Sequence, residues 1–452
     1  MASRCEAAGA WRNGQILDPV APFPSLRLPA LWQKCPEMQY HRSMKIWIKL
    51  LVGSVLGIVL GFAAPETEGF MTGLAWVERF VISVGRYALV PVLVFSMSIG
   101  IYELRKDRQF WPTILRNMVM IAAVSAFVIA AGVAATLALS PGRIPIIVEE
   151  QLEAVSFDIA GSVAEIFPSN MFAVLARDGT FLIPFYVFAF FLGVGLSYDK
   201  AYSKRVVELI DSLSRIFFHI ASFFIEILGF LMIALSAYWA VRFRGALQMA
   251  VFGEFMIILG ILAAALSFGI LPLFLYFLRP KTNPWAVLYG SIGPAIAAFF
   301  SGDINFSLPV LLRHAKESLG IRRRSSALGL AMFGAFCRGG SAMVAAASFI
   351  VIFNSYSNIG ITMGEVVSIS LHAFGISFLL ARHPGSGAYA ALAVICLGFG
   401  RGFEEGYLIL RPIAFYLIAI GTLLDVMMAS VANYASAHLG DFVEDKSAGQ
   451  HI

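Results

Sequence analysis

Long apolar runs alternate with short polar breaks along most of the chain. In the first part the runs fall at about 46–63, 80–103, 117–140, 170–197, 213–240 and 246–278. Most reach the roughly 20 apolar residues that a helix needs to cross a bilayer. The pattern predicts an all-α polytopic membrane protein. The second part is patterned differently. Apolar stretches at about 284–315 and 361–400 are interrupted at Phe300–Pro309 and at Ala381–Gly387, leaving arms too short to span alone. Paired short arms around a Gly/Pro-containing tip predict re-entrant hairpins, since non-helical backbone at membrane depth is tolerated only where it lines a cavity or is buried in protein. A longer apolar helix follows each, at about 325–353 and 406–436. Hairpin–helix twice over predicts inverted repeats, and two interrupted segments in matching positions point to a transporter binding site.

Composition agrees with this class. Hydrophobic residues make up 59% of 452 positions and charged residues 13%, with a mean hydropathy of +0.80; soluble domains carry about twice that charge. The net charge of +5 does not call for nucleic acid. Arg105–Arg108, Lys200–Arg205 and Arg279–Lys281 follow the second, fourth and sixth runs, and with Lys45 and Lys49 they predict a cytoplasmic N-terminus in an inner (plasma) membrane, multi-pass protein. The acidic stretch Glu149–Glu153 then lies outside. Residues 1–43 are mixed and Pro/Arg-rich without an apolar core, so they do not resemble a signal peptide. They read either as a disordered or mis-assigned stretch before a start at Met44, or as a cytoplasmic extension. The transporter domain spans 44–440, and 441–452 form a C-terminal tail. Gly53, Gly57 and Gly61 mark a helix face built for close packing. Cys5, Cys35, Cys337 and Cys396 show neither disulfide nor zinc spacing, and no cofactor, metal motif, nucleophile elbow or pair of catalytic acids is present, so an enzyme is not expected.

One residue stands out within the apolar runs. Arg338 is the only charge between Arg324 and Asn354. A guanidinium at bilayer depth costs roughly 2.5–3.5 kcal/mol even on lenient insertion scales, so it must face a partner or a watery cavity. Asp303, with Asn305 and Ser307, lies at the first interruption, Arg382 and His383 at the second, and Asp425 in the last helix.

Taken in order, several motifs resemble those of the dicarboxylate/amino acid:cation symporters, the glutamate-transporter-like family. They are Val90-Pro91-Val92-Leu93-Val94-Phe95 with Gly100-Ile101, Ile166-Phe167-Pro168-Ser169-Asn170, Phe306-Ser307-Leu308-Pro309-Val310, Arg313-His314-Ala315-Lys316-Glu317, and Pro384-Gly385-Ser386-Gly387-Ala388. The resemblance covers about 44–440. It implies eight transmembrane helices plus two re-entrant hairpins in a homotrimer. Scaffold helices would lie at about 46–140 and 170–240, and a mobile transport core at about 117–140 and 246–436 would move elevator-fashion.

The departures from the family pattern fall on its ion and substrate residues. Its serine-rich first tip is Ser301-Gly302-Asp303-Ile304-Asn305 here. Its Asn-Met-Asp-Gly-Thr becomes Cys337-Arg338-Gly339-Gly340-Ser341, and of its third-helix sodium ligands only Ser125 keeps an oxygen, beside Ile121 and Val124. In the last helix one register puts Gly421 at the substrate-binding arginine, Thr422 at the following threonine, Asp425 at an asparagine and Ala429 at a sodium-binding aspartate. The other aligns Asp425 with a substrate-binding aspartate and puts Met428 at the arginine. Both lose the arginine. The resemblance thus implies a substrate site drawn from Asp303, Asn305, Ser307, Arg338, Gly340, Ser341, Arg382, Pro384, Gly385, Ser386, Thr422 and Asp425, with Ser125, Cys337 and Asp425 as coupling-ion candidates.

The expectation is a symporter of a small anionic organic solute, a dicarboxylate or amino acid, with degraded sodium sites. Arg338 would stand in for a bound sodium or for the lost arginine. It would pair with Asp303 or Asp425 when the site is empty and with a substrate carboxylate when it is loaded. Proton coupling is favoured over sodium, because intramembrane acids serve as relays. The alternative is a non-transporting relative acting as a sensor or an anion-conducting channel.

Overall fold

The computed structural model describes residues 45–444 except 66, 145–158, 199, 279–282 and 358–359. The expectations for residues 1–43, for Glu149–Glu153 and for Arg279–Lys281 lie outside these. The described residues are helical apart from short links and one isolated bridge, Ile321 with Val443.

Helix α1 (Ile46–Ala63) packs along α7 (Lys200–Gln248). At 49 residues α7 is about 73 Å long, well beyond a bilayer's apolar thickness. The glycine face explains the contact: a Cβ on Gly57 would lie 1.9 Å from Ser236 Oγ and 2.2 Å from the Ile233 carbonyl. The second apolar run begins earlier than its pattern suggests and is two helices, α2 (Glu68–Arg86) and α3 (Leu89–Lys106). Pro91 accounts for the break, since it cannot donate to the carbonyl four residues back, at Tyr87, and its ring clashes there. Helix α4 (Phe110–Leu139) follows, then the short α5 (Ile159–Ala164).

The run at 170–197 is not one spanning helix. A 3₁₀ turn (Met171–Ala176), capped by the Asn170 side chain, is separated by Gly179 at φ 73° from α6 (Ile183–Leu196). Fourteen residues give α6 about 21 Å, too short to cross alone. Helices α8 (Gly253–Ala265) and α9 (Leu271–Leu278) run on through a π turn at Leu266–Ile270.

Both interruptions in the second part form where the polar residues place them. Helices α10 (Pro284–Ser301) and α11 (Ile304–Glu317) pack together and turn at Gly302, whose φ of 62° ends α10. Helices α14 (Met363–Ser377) and α15 (Gly387–Phe399) flank a 3₁₀ turn at Leu380–Arg382. The apolar stretch at 325–353 is two helices, α12 (Arg323–Phe336) and α13 (Gly339–Tyr356), broken at Cys337–Arg338. Two successive glycines weaken the helix there. Helix α16 (Ala414–Leu439) is preceded by a 3₁₀ segment at Gly406–Ile413.

Eight helices among the described residues are long and apolar enough to cross a membrane, and they include α10 but not α6. Of the most apolar window, 94% is buried in α12–α13 and 83% in the 406–439 segment, against 28% in α1 and in α7. The interior is therefore the α12–α13/α16 pair, clad by α4, α10, α11 and α15.

Replacing Gly57 with Leu should destabilise the protein by about 1–3 kcal/mol through overpacking against α7. Gly73→Ala in α2, where nothing lies within 4 Å, should be neutral or gain up to about 1 kcal/mol. Thermal unfolding in detergent micelles reads both.

Candidate functional site

Arg338 and Asp425 are both 0% exposed, and Arg338 Nε donates to Asp425 Oδ2 at 2.7 Å. The break between α12 and α13 makes this possible. Arg338 is the N-cap of α13, with φ −101° and ψ 27°, and the first turn beyond it faces α16. Ser341 donates its backbone amide to Asp425 Oδ1 at 2.9 Å and its hydroxyl to Oδ2 at 2.6 Å. A carboxylate from another helix therefore caps α13, satisfying an amide that the helix start leaves without an internal partner. The dipole at that end favours the negative charge as well. Gly340 permits the approach, because a Cβ there would lie 2.4 Å from Leu424 Cβ and 2.8 Å from the Asp425 amide.

The guanidinium has one group to spare. Its Nη2 donates to the His383 carbonyl at 3.4 Å, at the α14–α15 turn, while Nη1 is buried with no hydrogen-bond partner. A buried charged donor without an acceptor is a costly feature. The arrangement can accept one more anionic oxygen, or a carboxylate on two nitrogens if Asp425 yields its place.

Asp303 does not join Arg338. It is the N-cap of α11, with Oδ1 accepting from the Asn305 amide at 2.8 Å and the Phe306 amide at 3.2 Å, and its other oxygen pairs with Arg86 of α2. Nor do Asn305 and Ser307 turn to the guanidinium: Asn305 Nδ2 donates to the Thr180 carbonyl at 2.8 Å, and Ser307 Oγ to the Ile304 carbonyl of its own helix at 2.8 Å. Asp178, beside Arg86, is held below the ordinary carboxylate range, chiefly by the Thr180 backbone amide. Arg382 forms a two-pronged pair with Glu165 at 2.7 and 3.0 Å and lies over the Phe181 ring.

The two polar turns meet. The Ile304 amide donates to the Pro384 carbonyl at 3.2 Å, and Gly385 lies against the Asp303 carboxylate. Ser386 is the N-cap of α15 but makes no side-chain capping bond. Thr422 Oγ1 lies 2.8 Å from the Ile418 carbonyl and 3.1 Å from that of Gly302, tying α16 to the first turn. Ser125 is buried against Gly339, and Cys337 is fully buried at the helix break. Arg338, Ser341 and Asp425 thus form one cluster. Asp303, Pro384, Gly385 and Thr422 gather at the adjoining turns, while Asn305 and Arg382 are engaged by the 165–181 segment. Two participants escaped the pattern reading, Arg86 and Glu165. Arg86 was detectable, since it is the only charge between Arg79 and Glu103, the same signal that singles out Arg338.

The sodium:dicarboxylate symporter family profile matches residues 46–439, and the chain belongs to that family. The family is one of transporters, not enzymes. The serine/threonine transporter SstT of Enterococcus faecalis is 21% identical over 400 residues, covering 86% of this chain and 88% of that protein. Excitatory amino acid transporter 4 of Mus musculus is 27% identical over 173 residues, covering 38% of this chain and only 30% of its own length. The proton/sodium-glutamate symport protein of Bacillus subtilis is 21% identical over 237 residues, half of this chain and 54% of that one.

Asp425→Asn should strand the guanidinium and cost about 3–5 kcal/mol. Combining it with Arg338→Met removes both charges and should recover most of that loss. A double-mutant cycle by thermal unfolding measures the coupling.

Proposed function

We propose that the protein is a secondary active transporter of a small anionic organic solute, a dicarboxylate or amino acid, in which Arg338 replaces a bound sodium ion as the fixed cation of the site. The observation that carries this reading is the buried Arg338–Asp425 pair with Nη1 left unpartnered. Sodium binds through several hard oxygens. In the turn where the family pattern places two such side chains stand Cys337 and Gly339, and a sodium ion beside Arg338 would meet a like charge.

The empty site holds the carboxylate of Asp425 on the guanidinium. A substrate carboxylate takes over Nη1 and a second nitrogen once Asp425 is protonated and gives up its claim. Proton binding thereby becomes the condition for substrate binding, and no sodium ion is needed. The polar turns at Gly302–Asp303 and Arg382–Ser386 act as tips of re-entrant hairpins that close over the solute. The core of about 117–140 and 246–436, α4 with α8–α16, moves past the scaffold of α1–α3, α6 and α7 in an elevator motion within a homotrimer whose N-terminus is cytoplasmic.

Purified protein in proteoliposomes tests the reading. Inward acidification gradients should drive concentrative uptake of a small carboxylate found by thermal-shift screening, and uptake should rise as the outer pH falls. Steep stimulation by sodium, or ohmic current without accumulation, overturns it. Arg338→Met should abolish concentrative uptake or shift its ion dependence, and unchanged transport would reduce the arginine to a structural lock.

A further inference from the structure

Away from this site, a cavity of about 600 Å³ opens where the C-terminal end of α3 meets α7, the end of α11 and the start of α12. Six cations line it: Lys106, Arg215, Lys316, Arg322, Arg323 and Arg324. Among the described residues, only Glu103 and Asp107 line it with negative charge. Two further acids engage these cations from its margin. Asp211 pairs with Arg323 and, at 3.1 Å, with Arg215, and Glu444 lies 3.6 Å from Arg322. Among the described residues, six cations against four carboxylates leave a surplus of two positive charges.

The surplus sits where a helix disfavours it. Arg322 is the N-cap of α12 and Arg323 and Arg324 its first turn, at the positive end of the dipole. Among the described residues, no side chain caps that end. The segment after α16 fixes its position, with the Arg322 amide donating to the Phe442 carbonyl at 2.8 Å. Arg324 keeps its Nε buried without an acceptor, although another of its nitrogens pairs with Asp107. Lys316 lies over the Phe218 ring at 4.2 Å, with its ammonium at the rim of the cavity. An uncapped helix start ringed by guanidinium and ammonium groups is the chemistry that holds phosphate.

We propose that this cavity binds a phosphate-bearing anion of about two negative charges, supplied either by the headgroup of an anionic lipid or by a free phosphate compound. The occupant neutralises the surplus charge, caps α12, and ties α11–α12 to α3 and α7. This site is independent of Arg338 and of the solute carried.

The test uses the full-length protein in nanodiscs of zwitterionic lipid. In one arm pyrophosphate is titrated against potassium chloride of equal ionic strength; in the other, phosphatidic acid is added to the disc with no free phosphate. Saturable thermal stabilisation in the first arm identifies a free phosphate, and in the second a lipid headgroup. Lys106→Gln with Lys316→Gln should weaken the effective arm about tenfold or more. Glu103→Gln should strengthen it about threefold, because Glu103 opposes the anion and is only a distant partner of Arg323, at 3.9 Å. A fold defect cannot tighten binding, so Glu103→Gln decides the matter if the double variant does not fold. Stabilisation no greater than matched salt in both arms, wild-type binding in the double variant, or no tightening with Glu103→Gln overturns the proposal.

Discussion

The structure is organised around one electrostatic demand, a guanidinium that no solvent reaches. A buried unpaired charge would cost several kcal/mol, so a carboxylate must meet it. That carboxylate comes from α16, and the meeting needs the two helices closer than ordinary side chains allow. Gly340 supplies the closeness and the chain break at Cys337–Arg338 supplies the direction. The break in turn exposes an amide at the start of α13, which the same carboxylate satisfies through Ser341. Helix break, small residue, cap and ion pair are therefore one solution to one problem.

Magnitude separates this pair from the others near the polar turns. Arg382 and Glu165 have side chains 37% and 41% exposed, and pairs of that kind contribute about 0–1 kcal/mol. Breaking the Arg338–Asp425 pair costs several times more. The Arg86–Asp303 pair lies between, with one partner nearly buried and the other a fifth exposed. Interaction strength thus falls from the interior towards the 165–181 segment. The weak outer contacts can be remade by modest motions while the central pair resists.

Most of the fold was legible because burial and period dominate it. Apolar run length located the helices, and polar residues within the runs located both turns. What escaped was chain geometry set by single residues. Pro91 splits the second run at its fourth preceding carbonyl, and Asp178-Gly179 with Pro184 shortens the 170–197 run. At the site, an isolated charge in an apolar run identified Arg338, but partner choice was legible only in part. Asp425 meets Arg338, whereas Asp303 is spent on capping α11 and on Arg86. No spacing rule reveals that, because a capping role looks the same in sequence as a binding one.

The tight seam between α1 and α7 also bears on how the chain reaches the membrane. Gly57 and its contact Ser236 are far apart along the chain, and at about 5–20 residues per second synthesis of the intervening stretch takes on the order of 9–36 s. For that interval the grooved face of α1 has only lipid or the insertion machinery to lie against. The first helix thus waits in the bilayer with an unfilled groove, and the docking of α7 is the moment at which it ceases to be an independent anchor.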